Sequence, residues 1–419
     1  MTAPHQQPQF SIIIPTGNRV KLAKMAAESV LNQSYQNFEI IIADWAHTNE
    51  AREIAVLDKR IKYLKTDSRE PYGGWNIAAR QSQGNYILFL DDDNYLLPYA
   101  LELFSNEITE TRADVITSNH LYYYDSEHPR IYLRNSLGVI PFTGKKSWVD
   151  LRQAIKNIFA FKRSSVLPRF HTSSTIVSSR IINQSLQKLG FIVLDYLPNM
   201  HSMFPILSSF AKTCVFVDHP TVIVGRYGNS LSQNWAIAAR YRFKKQLFPI
   251  TMSPLCGYTR INGTLENFLN VKNILPDFYR DIQIDYEQFA KIYTQELAYL
   301  DTDFITLIKN WINLFSFLKT FSPKVRKLLA KKALKFAALA PIVYISRRLK
   351  LYLLWRVMVK YFVSNKENKK TAAEKIGNSK EFYISLEEKY NVDSIDALAK
   401  NVGQILIAET NRDIFSLPQ

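Results

Sequence analysis

The alternation of apolar and polar residues divides the first hundred residues into short strands and helices. Four short runs are typical of buried strands: 10–14, 38–43, 61–64 and 86–90. Between them, 20–33 and 74–82 have the composition of helices. Alternation of this kind predicts an α/β fold with a mixed, mainly parallel sheet, and such sheets bind ligands at the carboxyl ends of their strands.

After residue 93 the pattern predicts further strands and helices of a mixed sheet. A helix is expected over 98–109, because Pro98 suits the first turn of a helix. The other expected elements are strands at 114–117, 120–124, 130–134, 214–217 and 222–224, and helices at 178–189 and 198–210. Residues 144–166 are basic and aromatic without a clear period, and we assign them to a loop and a helix.

From residue 236 onward, amphipathic helical stretches replace the strands. Ser322 and Pro323 form a helix start, with the serine as cap and the proline at the first helical position. Lysines line one face of this helix and apolar residues the other, and a second piece follows Pro341. We therefore predict three parts: a polar tail (1–9), an α/β domain (10–235) and a mainly α-helical C-terminal region (236–419).

Charge separates these parts. The chain carries a net charge of +16, and residues 321–370 alone contain 14 Lys and Arg against the single acidic residue Glu367. With interleaved aromatics, this basic segment suits an anionic membrane surface. Nucleic acid is not expected, because no recognised binding motif accompanies the charge. A helical region whose lysines are merely solvated remains an alternative.

Composition excludes several classes of protein. With 47% hydrophobic and 21% charged residues the chain is globular, and two cysteines without metal-ligand spacing argue against a disulfide framework or a zinc site. The first nine residues lack the basic and apolar regions of a secretory signal. The uncharged stretch 336–346 is shorter than the roughly 20 residues of a spanning helix. We expect a cytoplasmic protein, attached at most to the inner face of the membrane.

Three consecutive aspartates, Asp91, Asp92 and Asp93, follow the fourth predicted strand. On extended chain, side chains at positions i and i+2 point to the same side, so Asp91 and Asp93 are expected to share a site that Asp92 does not face. Carboxylate oxygens are preferred ligands of Mg²⁺ and Mn²⁺, which also bind substrate phosphates. The run therefore predicts a metal–diphosphate site, although an acidic loop or a helix cap would give the same pattern.

Polar motifs end the other predicted strands as well. They are Pro15-Thr16-Gly17-Asn18-Arg19 after the first strand, Ser29-Val30-Leu31-Asn32-Gln33 in the first helix, Asp44 at the end of the second strand, and Gly73-Gly74 leading through Ala79-Arg80 to Gly84. Taken in order with the Asp-x-Asp run, these motifs resemble those of the inverting glycosyltransferases of family 2. The resemblance is strong over residues 10–110 and weaker to residue 232.

The resemblance implies a GT-A fold and transfer of a sugar from a nucleoside-diphosphate donor, with a UDP-sugar as the first expectation. The acceptor would be a hydroxyl of a saccharide or of a lipid-linked glycan. By position, Pro15, Thr16, Asn18 and Arg19 would line the nucleoside pocket.

The remaining donor-side residues follow in the same way. Asp44 would contact the base, unless it only forms a turn. Arg80 would lie near the base or diphosphate, unless it makes an ion pair on the helix surface. Asp91 would face the ribose or a metal-bound water, Asp92 would stand beside the nucleotide sugar, and Asp93 would bind Mn²⁺ or Mg²⁺ directly, with Asp91 as second ligand.

Inversion also requires a base that takes the proton of the acceptor hydroxyl. In the family, an acidic residue follows a glycine and a hydrophobic stretch, and Asp195 after Gly190 fits this pattern. Asp195 is the only acidic residue between Asp150 and Asp218, so it is the expected base. The alternative is that Asp195 caps the helix predicted after it.

Three positions depart from the family pattern. Tyr227 stands where a histidine is common, Trp45 replaces a second acid after Asp44, and Leu194 precedes Asp195 where another acid is usual. A degenerate glycosyltransferase-like module that binds without turnover is therefore the second hypothesis. A nucleotidyltransferase is the third, though its phosphate loop is poorly matched. His171 is a further candidate on the acceptor or diphosphate side.

Overall fold

The computed structural model describes residues 7–68, 71–128, 133–162, 170–194, 202–228, 250–255, 257, 259–298, 304–348, 382–386, 390, 392 and 394–410.

Within these ranges, eleven strands form one mixed sheet. They are β1 (Phe10–Thr16), β2 (Phe38–Asp44), β3 (Ile61–Lys65), β4 (Tyr86–Phe89), β5 (Asn94–Leu96), β6 (Val115–Tyr124), β7 (Ser136–Val139), β8 (Lys146–Trp148), β9 (Thr175–Ser178), β10 (Cys214–Arg226) and β11 (Phe382–Ser385). The order is β11-β7-β6-β9-β4-β1-β2-β3, and β10 pairs with β5, β6 and β8. β3, β2, β1 and β4 are parallel, whereas β9 runs antiparallel to both β4 and β6.

The central strands are buried on both faces. Every residue of β1 and of β2 is buried, which agrees with their apolar sequences and with helices packed above and below the sheet. The parallel register pairs Ile12 with Ile40 and ends by pairing Thr16 with Asp44. The polar ends of β1 and β2 therefore lie side by side at one edge of the sheet.

Six helices accompany the strands up to residue 208: α1 (Val20–Leu31), α2 (Pro71–Gln81), α3 (Ala100–Thr111), α4 (Leu151–Phe159), α5 (Ser179–Leu189) and α6 (Met203–Ser208). Short 3₁₀ turns lie at Glu50–Val56 and Thr172–Ser174. α5 ends at Gly190, whose φ of 84° places it in the left-handed region that favours glycine. This turn sends the chain from the end of α5 back along α2.

The second half of the described chain is mainly helical, with α7 (Arg260–Ile274), α8 (Pro276–Tyr279), α9 (Tyr286–Ala298), α10 (Phe304–Leu318), α11 (Pro323–Arg348) and α12 (Ile395–Thr410). α7 to α11 share a core that also includes α4. Phe159 of α4 stacks on Phe268 of α7 with ring centroids 4.3 Å apart. Buried Glu266 accepts backbone N–H groups from Thr251 and Ser253, which fixes the entry into these helices.

The expected α/β fold and the mainly helical C-terminal region are confirmed, with differences in detail. The strands predicted at 114–117 and 120–124 form the single strand β6, and those at 214–217 and 222–224 form β10, whose pairing is irregular around Pro220. α11 continues past Pro341, where we expected two pieces. In β6 and β10, pairing with neighbouring strands holds the two predicted segments in one element where the local sequence indicates a break. The strand predicted at 130–134 and the helix predicted at 198–210 lie partly outside the described residues.

The last described segment returns to the sheet. β11 pairs antiparallel with β7, and α12 contacts β5 and β10. Ile384, Leu398 and Leu406 belong to the same core as β1 and β2. The domain division at residue 235 stays a prediction, but 382–410 pack with the part before it. Among the helices described here, none is both long enough and apolar enough to cross a membrane.

Candidate functional site

Arg19 joins the end of β1 to the aspartate run after β4. Its Nη2 and Nε donate to the carboxylate of Asp92, the latter at 3.2 Å, and its Nη1 donates to Oδ2 of Asp93 at 2.9 Å. Thr16 at the end of β1 also donates to Asp92, with 3.3 Å between Oγ1 and Oδ2. The strand ends that the sequence predicts to be neighbours thus form one polar cluster at the carboxyl edge.

The aspartate run is a turn and not extended chain. The N–H of Asn94 donates to the carbonyl of Asp91 at 3.0 Å, which closes the turn before β5. The argument from positions i and i+2 of an extended chain therefore does not apply. Asp92 and Asp93 both face the guanidinium of Arg19. We expected Asp92 to face away from the site shared by Asp91 and Asp93, whereas its carboxylate binds the same arginine as Asp93 does.

A buried network holds the turn in place. Ser173 Oγ accepts the N–H of Asp91 at 3.1 Å and the side-chain amide of Asn94 at 2.7 Å. Asn94 Oδ1 in turn accepts the N–H of Gly225 at 3.0 Å. A Cβ at Gly225 would collide with the carbonyl oxygen of Asp93, so β10 can approach the turn this closely only with glycine at this position.

Negative charge exceeds positive charge in this cluster. Burial, followed by the charges of Asp93 and Asp92, raises the pKa of Asp91 to about 8. Burial also raises the pKa of Asp92 to about 7 although Arg19 opposes the rise. Burial alone would lower the pKa of Arg19, but the neighbouring carboxylates outweigh it and raise the pKa. The cluster therefore favours an additional cation.

The carboxylate of Asp91 is the part of this cluster that lacks a partner. It is half-buried, and within the described ranges no hydrogen bond or ion pair reaches it. The described residues contain no group of three or more His, Cys, Asp or Glu that could hold a metal. A divalent cation would need phosphate and water oxygens as further ligands, as Mg²⁺ commonly does. The donor set of Asp91 and Asp93 fits such a cation.

Asp44 lies at the end of β2 with its carboxylate occupied. The side chain is fully buried and accepts from Ala46 N–H and Tyr63 Oη, each at 2.8 Å, with Lys65 Nζ at 3.4 Å. Trp45 covers Gly17, where a Cβ would lie 2.7 Å from the indole ring. The predicted contact of Asp44 with a base stays a prediction.

The four residues predicted to line the nucleoside pocket differ in their burial. Pro15 and Thr16 are buried, Asn18 is exposed and Arg19 is half-buried. Only Thr16 and Arg19 of these four contact the aspartate run among the described interactions.

Arg80 lies at the opposite edge of the sheet. It is exposed in the last turn of α2, and it donates to the carbonyl of Gly190. The residues that follow α2 contact the amino ends of β1 and β2, since Gly84 N–H donates to Ser11 and Gln83 N–H to Glu39. The structure therefore does not bring Arg80 to the aspartate run.

The segment before Asp195 runs along α2 toward the site edge. Gly190 is bound to Arg80, and one helical turn earlier in α2, Asn76 Oδ1 accepts the N–H of Ile192 at 2.9 Å while its amide donates to the carbonyl of Val193. The amino end of α2 follows the carboxyl end of β3, so the chain approaches the edge that carries the aspartates. Asp195 itself lies outside the described residues.

His171 and Tyr227 both lie beside the site. Nδ1 of His171 accepts the N–H of Ser173 at 3.2 Å, and burial together with the charge of Arg226 lowers the pKa of His171 to about 3. The ring is therefore neutral with its proton on Nε2. Burial raises the pKa of Tyr227, to which the charge of Asp93 also contributes. Tyr227 thus stands close to the predicted metal ligand.

Sequence reasoning missed several residues of this site. Ser173 and Asn94 carry no motif that sets them apart from other polar residues, and their role follows only from the approach of distant segments. Arg226 directly precedes Tyr227, in a stretch of sequence compared with the family pattern, and its guanidinium lies 4.6 Å from the centre of the Tyr122 ring. Its place in that stretch was the one available signal.

The strand order places the polar cluster at the carboxyl edge of an α/β sheet, which is where sheets of this kind bind their ligands. Residues 11–181 match the model of glycosyl transferase family 2, and the chain contains a domain of this family.

Two relatives illustrate the similarity. The chain is 38% identical over 98 residues to an uncharacterised glycosyltransferase of Rickettsia bellii. The aligned region covers 23% of this chain and 14% of that protein. It is 33% identical over 114 residues to the GalNAc(5)-diNAcBac-PP-undecaprenol beta-1,3-glucosyltransferase of Campylobacter jejuni. Here the aligned region covers 26% of this chain and 37% of the relative. The chain thus spans well under half the length of these relatives.

A solved structure is similar over most of the chain. Staphylococcus aureus TarS in complex with UDP-GlcNAc matches with a TM-score of 0.50 and 15% identity, over 82% of this chain and 92% of that one. This similarity shows the fold, and it confirms the expected GT-A architecture.

Proposed function

We propose that this chain is an inverting glycosyltransferase that moves a sugar from a nucleoside-diphosphate donor, first of all a UDP-sugar, to a hydroxyl acceptor. The observation that carries the proposal is the cluster of Thr16, Arg19, Asp92 and Asp93 at the carboxyl edge, beside the carboxylate of Asp91, which no described residue pairs with. A family 2 domain over the same residues supports it.

In this proposal, the acceptor oxygen attacks the anomeric carbon while the bond from that carbon to the diphosphate oxygen breaks. The electron pair of the broken bond stays on the nucleoside diphosphate. Asp195 takes the acceptor proton as general base. Arg19 holds Asp92 and Asp93 in position, and its positive charge partly offsets theirs.

Asp93 and Asp91 would hold a divalent cation, Mn²⁺ or Mg²⁺. When bound, such a cation stabilises the negative charge that develops on the leaving diphosphate. The raised pKa of Asp91 supports this assignment, because a nearby cation would relieve the repulsion among the three carboxylates.

The proposal is tested by UDP release from a panel of UDP-sugars and by calorimetric titration of UDP, each with and without Mn²⁺. We expect donor turnover that depends on the cation, and a loss of turnover in Asp195→Asn with UDP binding retained. Asp58→Asn is the matched control, since Asp58 pairs with Arg60 in the turn before β3. A wild-type chain that binds no nucleoside diphosphate, or a fully active Asp195→Asn, would contradict the proposal.

The second candidate is a glycosyltransferase-like module that binds nucleotide without turnover. Tyr227 beside Asp93 favours it, because a tyrosine can donate a hydrogen bond there but is a poorer metal ligand than histidine. Tight UDP binding without release of sugar from any donor would identify this module.

We also infer that the acceptor is a saccharide or a lipid-linked glycan, and that the basic segment 321–370 meets an anionic membrane surface from the cytoplasmic side. Within its described part, Lys324, Lys327 and Lys331 of α11 are exposed. An enzyme attached to the membrane surface would be close to a lipid-linked acceptor, because the lipid anchors that acceptor in the same membrane.

A further inference from the structure

α10 is an apolar helix whose two opposite faces have different surroundings. Leu307, Trp311, Leu314 and Leu318 recur at helical spacing and belong to the core shared by α7 to α11. A surface helix normally carries polar residues on its other face. Lys309 is the one charged residue among the 15 of α10.

The outer face of α10 is a row of exposed isoleucines. Ile305, Ile308 and Ile312 are 66%, 43% and 61% exposed, and their spacing of three and four residues places them on one side of the helix. We call these three residues the apolar ridge. Large aliphatic side chains that stay in water along a whole helix face mark a surface that contacts an apolar partner.

The neighbouring helix α11 also carries exposed aliphatic side chains. α10 packs against α11, in which Leu329, Ala333 and Phe336 face the common core. Away from that core, Leu328 and Leu334 are each 60% exposed. Exposed aliphatic side chains therefore occur on both helices of the pair.

Charge on this pair of helices has a single sign. Residues 304–348 contain ten Lys and Arg and no Asp or Glu. Lys309 follows Ile308 directly, and Lys319 lies in the turn immediately after the last residue of α10. Both lysines are exposed. A ridge of aliphatic side chains bordered by exposed cations is the arrangement of helices that lie in a lipid interface.

We propose that α10 docks on an anionic lipid bilayer, with the apolar ridge at the boundary between headgroups and acyl chains and with Lys309 and Lys319 on lipid phosphates. A second copy of the chain is the less suitable occupant, because two such surfaces would bring Lys309 and Lys319 against their own copies, on helices that carry no negative charge. The inference rests on the membrane contact proposed for segment 321–370, and it moves the apolar part of that contact to a helix before the segment.

The test is co-sedimentation of the full chain with vesicles of phosphatidylcholine mixed with phosphatidylglycerol, and with vesicles of phosphatidylcholine alone. The wild type binds the anionic vesicles, and binding weakens as salt rises. The triple variant Ile305→Ser, Ile308→Ser, Ile312→Ser lowers partitioning about tenfold or more, since it removes the buried apolar area. Lys309→Gln with Lys319→Gln lowers it by roughly fivefold per lysine.

The matched control is Val56→Ser with Leu57→Ser, which removes exposed aliphatic side chains from the α/β part, where they are 86% and 41% exposed. This control keeps full vesicle binding, and thermal unfolding shows that each variant is folded. Unchanged binding of the triple isoleucine variant overturns the inference. So does a wild-type dimer in sedimentation velocity that the triple variant converts to monomer, because the ridge would then be a contact between copies.

Release of UDP from a UDP-sugar in solution separates this inference from the proposed transferase function. The triple isoleucine variant keeps that release, because the ridge lies outside the aspartate site. Vesicle binding that persists in the isoleucine variant while UDP release is normal removes the docking surface alone. A chain that binds anionic vesicles through the ridge but releases no UDP supports docking and contradicts the transferase proposal.

Discussion

Two parallel strands, β2 and β4, lead to aspartates at the same edge of the sheet: β2 ends at Asp44, and Asp91 lies two residues after the end of β4. The surroundings of these two aspartates differ. Asp44 after β2 is fully buried and accepts hydrogen bonds from Ala46 and Tyr63, with Lys65 beside it. Asp91 after β4 has no such partner within the described ranges, and burial with its neighbours' charge raises its pKa to about 8.

The carboxylate oxygens of Asp44 both have hydrogen-bond donors, whereas the described residues supply no donor to the carboxylate of Asp91. A buried carboxylate with donors on both oxygens stabilises the loop that follows it. A carboxylate held against two others, whose repulsion Arg19 and Arg226 offset only in part, costs folding free energy, and proteins commonly place such groups where a ligand or cation binds. We therefore expect substitutions at the β4 end to change chemistry and those at the β2 end to change stability.

The largest effect is expected from Asp93→Asn. Asparagine retains the shape and can still accept from Arg19, but it removes a charge that a divalent cation needs. UDP release in the presence of Mn²⁺ should fall by about 10²–10³-fold, the range for loss of one group that stabilises transition-state charge. The melting temperature should change little or rise. Activity within a few fold of wild type would show that Asp93 is no metal ligand.

Gly225→Ala tests the packing that holds the aspartate turn. The added Cβ would collide with the carbonyl of Asp93, which belongs to backbone and can move only with the turn. We expect a loss of about 2–3 kcal/mol of stability, as for overpacked cores, together with reduced UDP release. Urea unfolding measures the first quantity. Gly74→Ala in α2 controls for loss of a glycine, since a Cβ there would meet its nearest neighbour, Thr66 Oγ1, at an ordinary contact distance of 3.5 Å. Equal stability of both variants would remove the close approach as an explanation.

Tyr63→Phe tests the opposite end of the comparison. It removes the hydroxyl that donates to Asp44 at 2.8 Å and leaves a buried carboxylate oxygen with the more distant Lys65. The expected cost is about 1–2 kcal/mol of unfolding free energy. UDP affinity, measured by calorimetry, should change less than stability does. A tenfold loss of UDP affinity at unchanged stability would mean that Asp44 serves the nucleotide first.

The smallest effect is expected from Asp58→Asn, a partly exposed acid between β2 and β3. Hydrogen bonds from Arg60 lower the pKa of Asp58 from 3.8 to about 2. Because the folded-state pKa is lower than the unfolded one, the stabilisation is present above pH 4 and disappears as pH falls toward 2. The variant should lose about 1 kcal/mol or less near neutral pH, and the difference from wild type should vanish in acid. A difference that is independent of pH in urea unfolding would contradict this cause.

The local sequence was sufficient to predict strands that are continuous runs of apolar residues. β1, β2 and β4 are short apolar runs, and polar residues at their ends predicted the edge where the site lies. The same reasoning failed where strand pairing overrides a local break, as at Pro220 within β10, and it ended a helix at Pro341 although α11 continues to Arg348. It also missed five strands that are three or four residues long and are paired with neighbouring strands: β5, β7, β8, β9 and β11.

By itself, the sequence determined which residue types can carry charge at the carboxyl edge, because strand direction and side-chain chemistry are local properties. It placed Thr16, Arg19 and the three aspartates at strand ends that a parallel sheet brings together. Only the tertiary structure decided that Asp92 and Asp93 share Arg19, that Arg80 lies at the far edge, and that Ser173 and Gly225 support the turn. These contacts join segments distant along the chain, and their geometry depends on how the whole sheet packs.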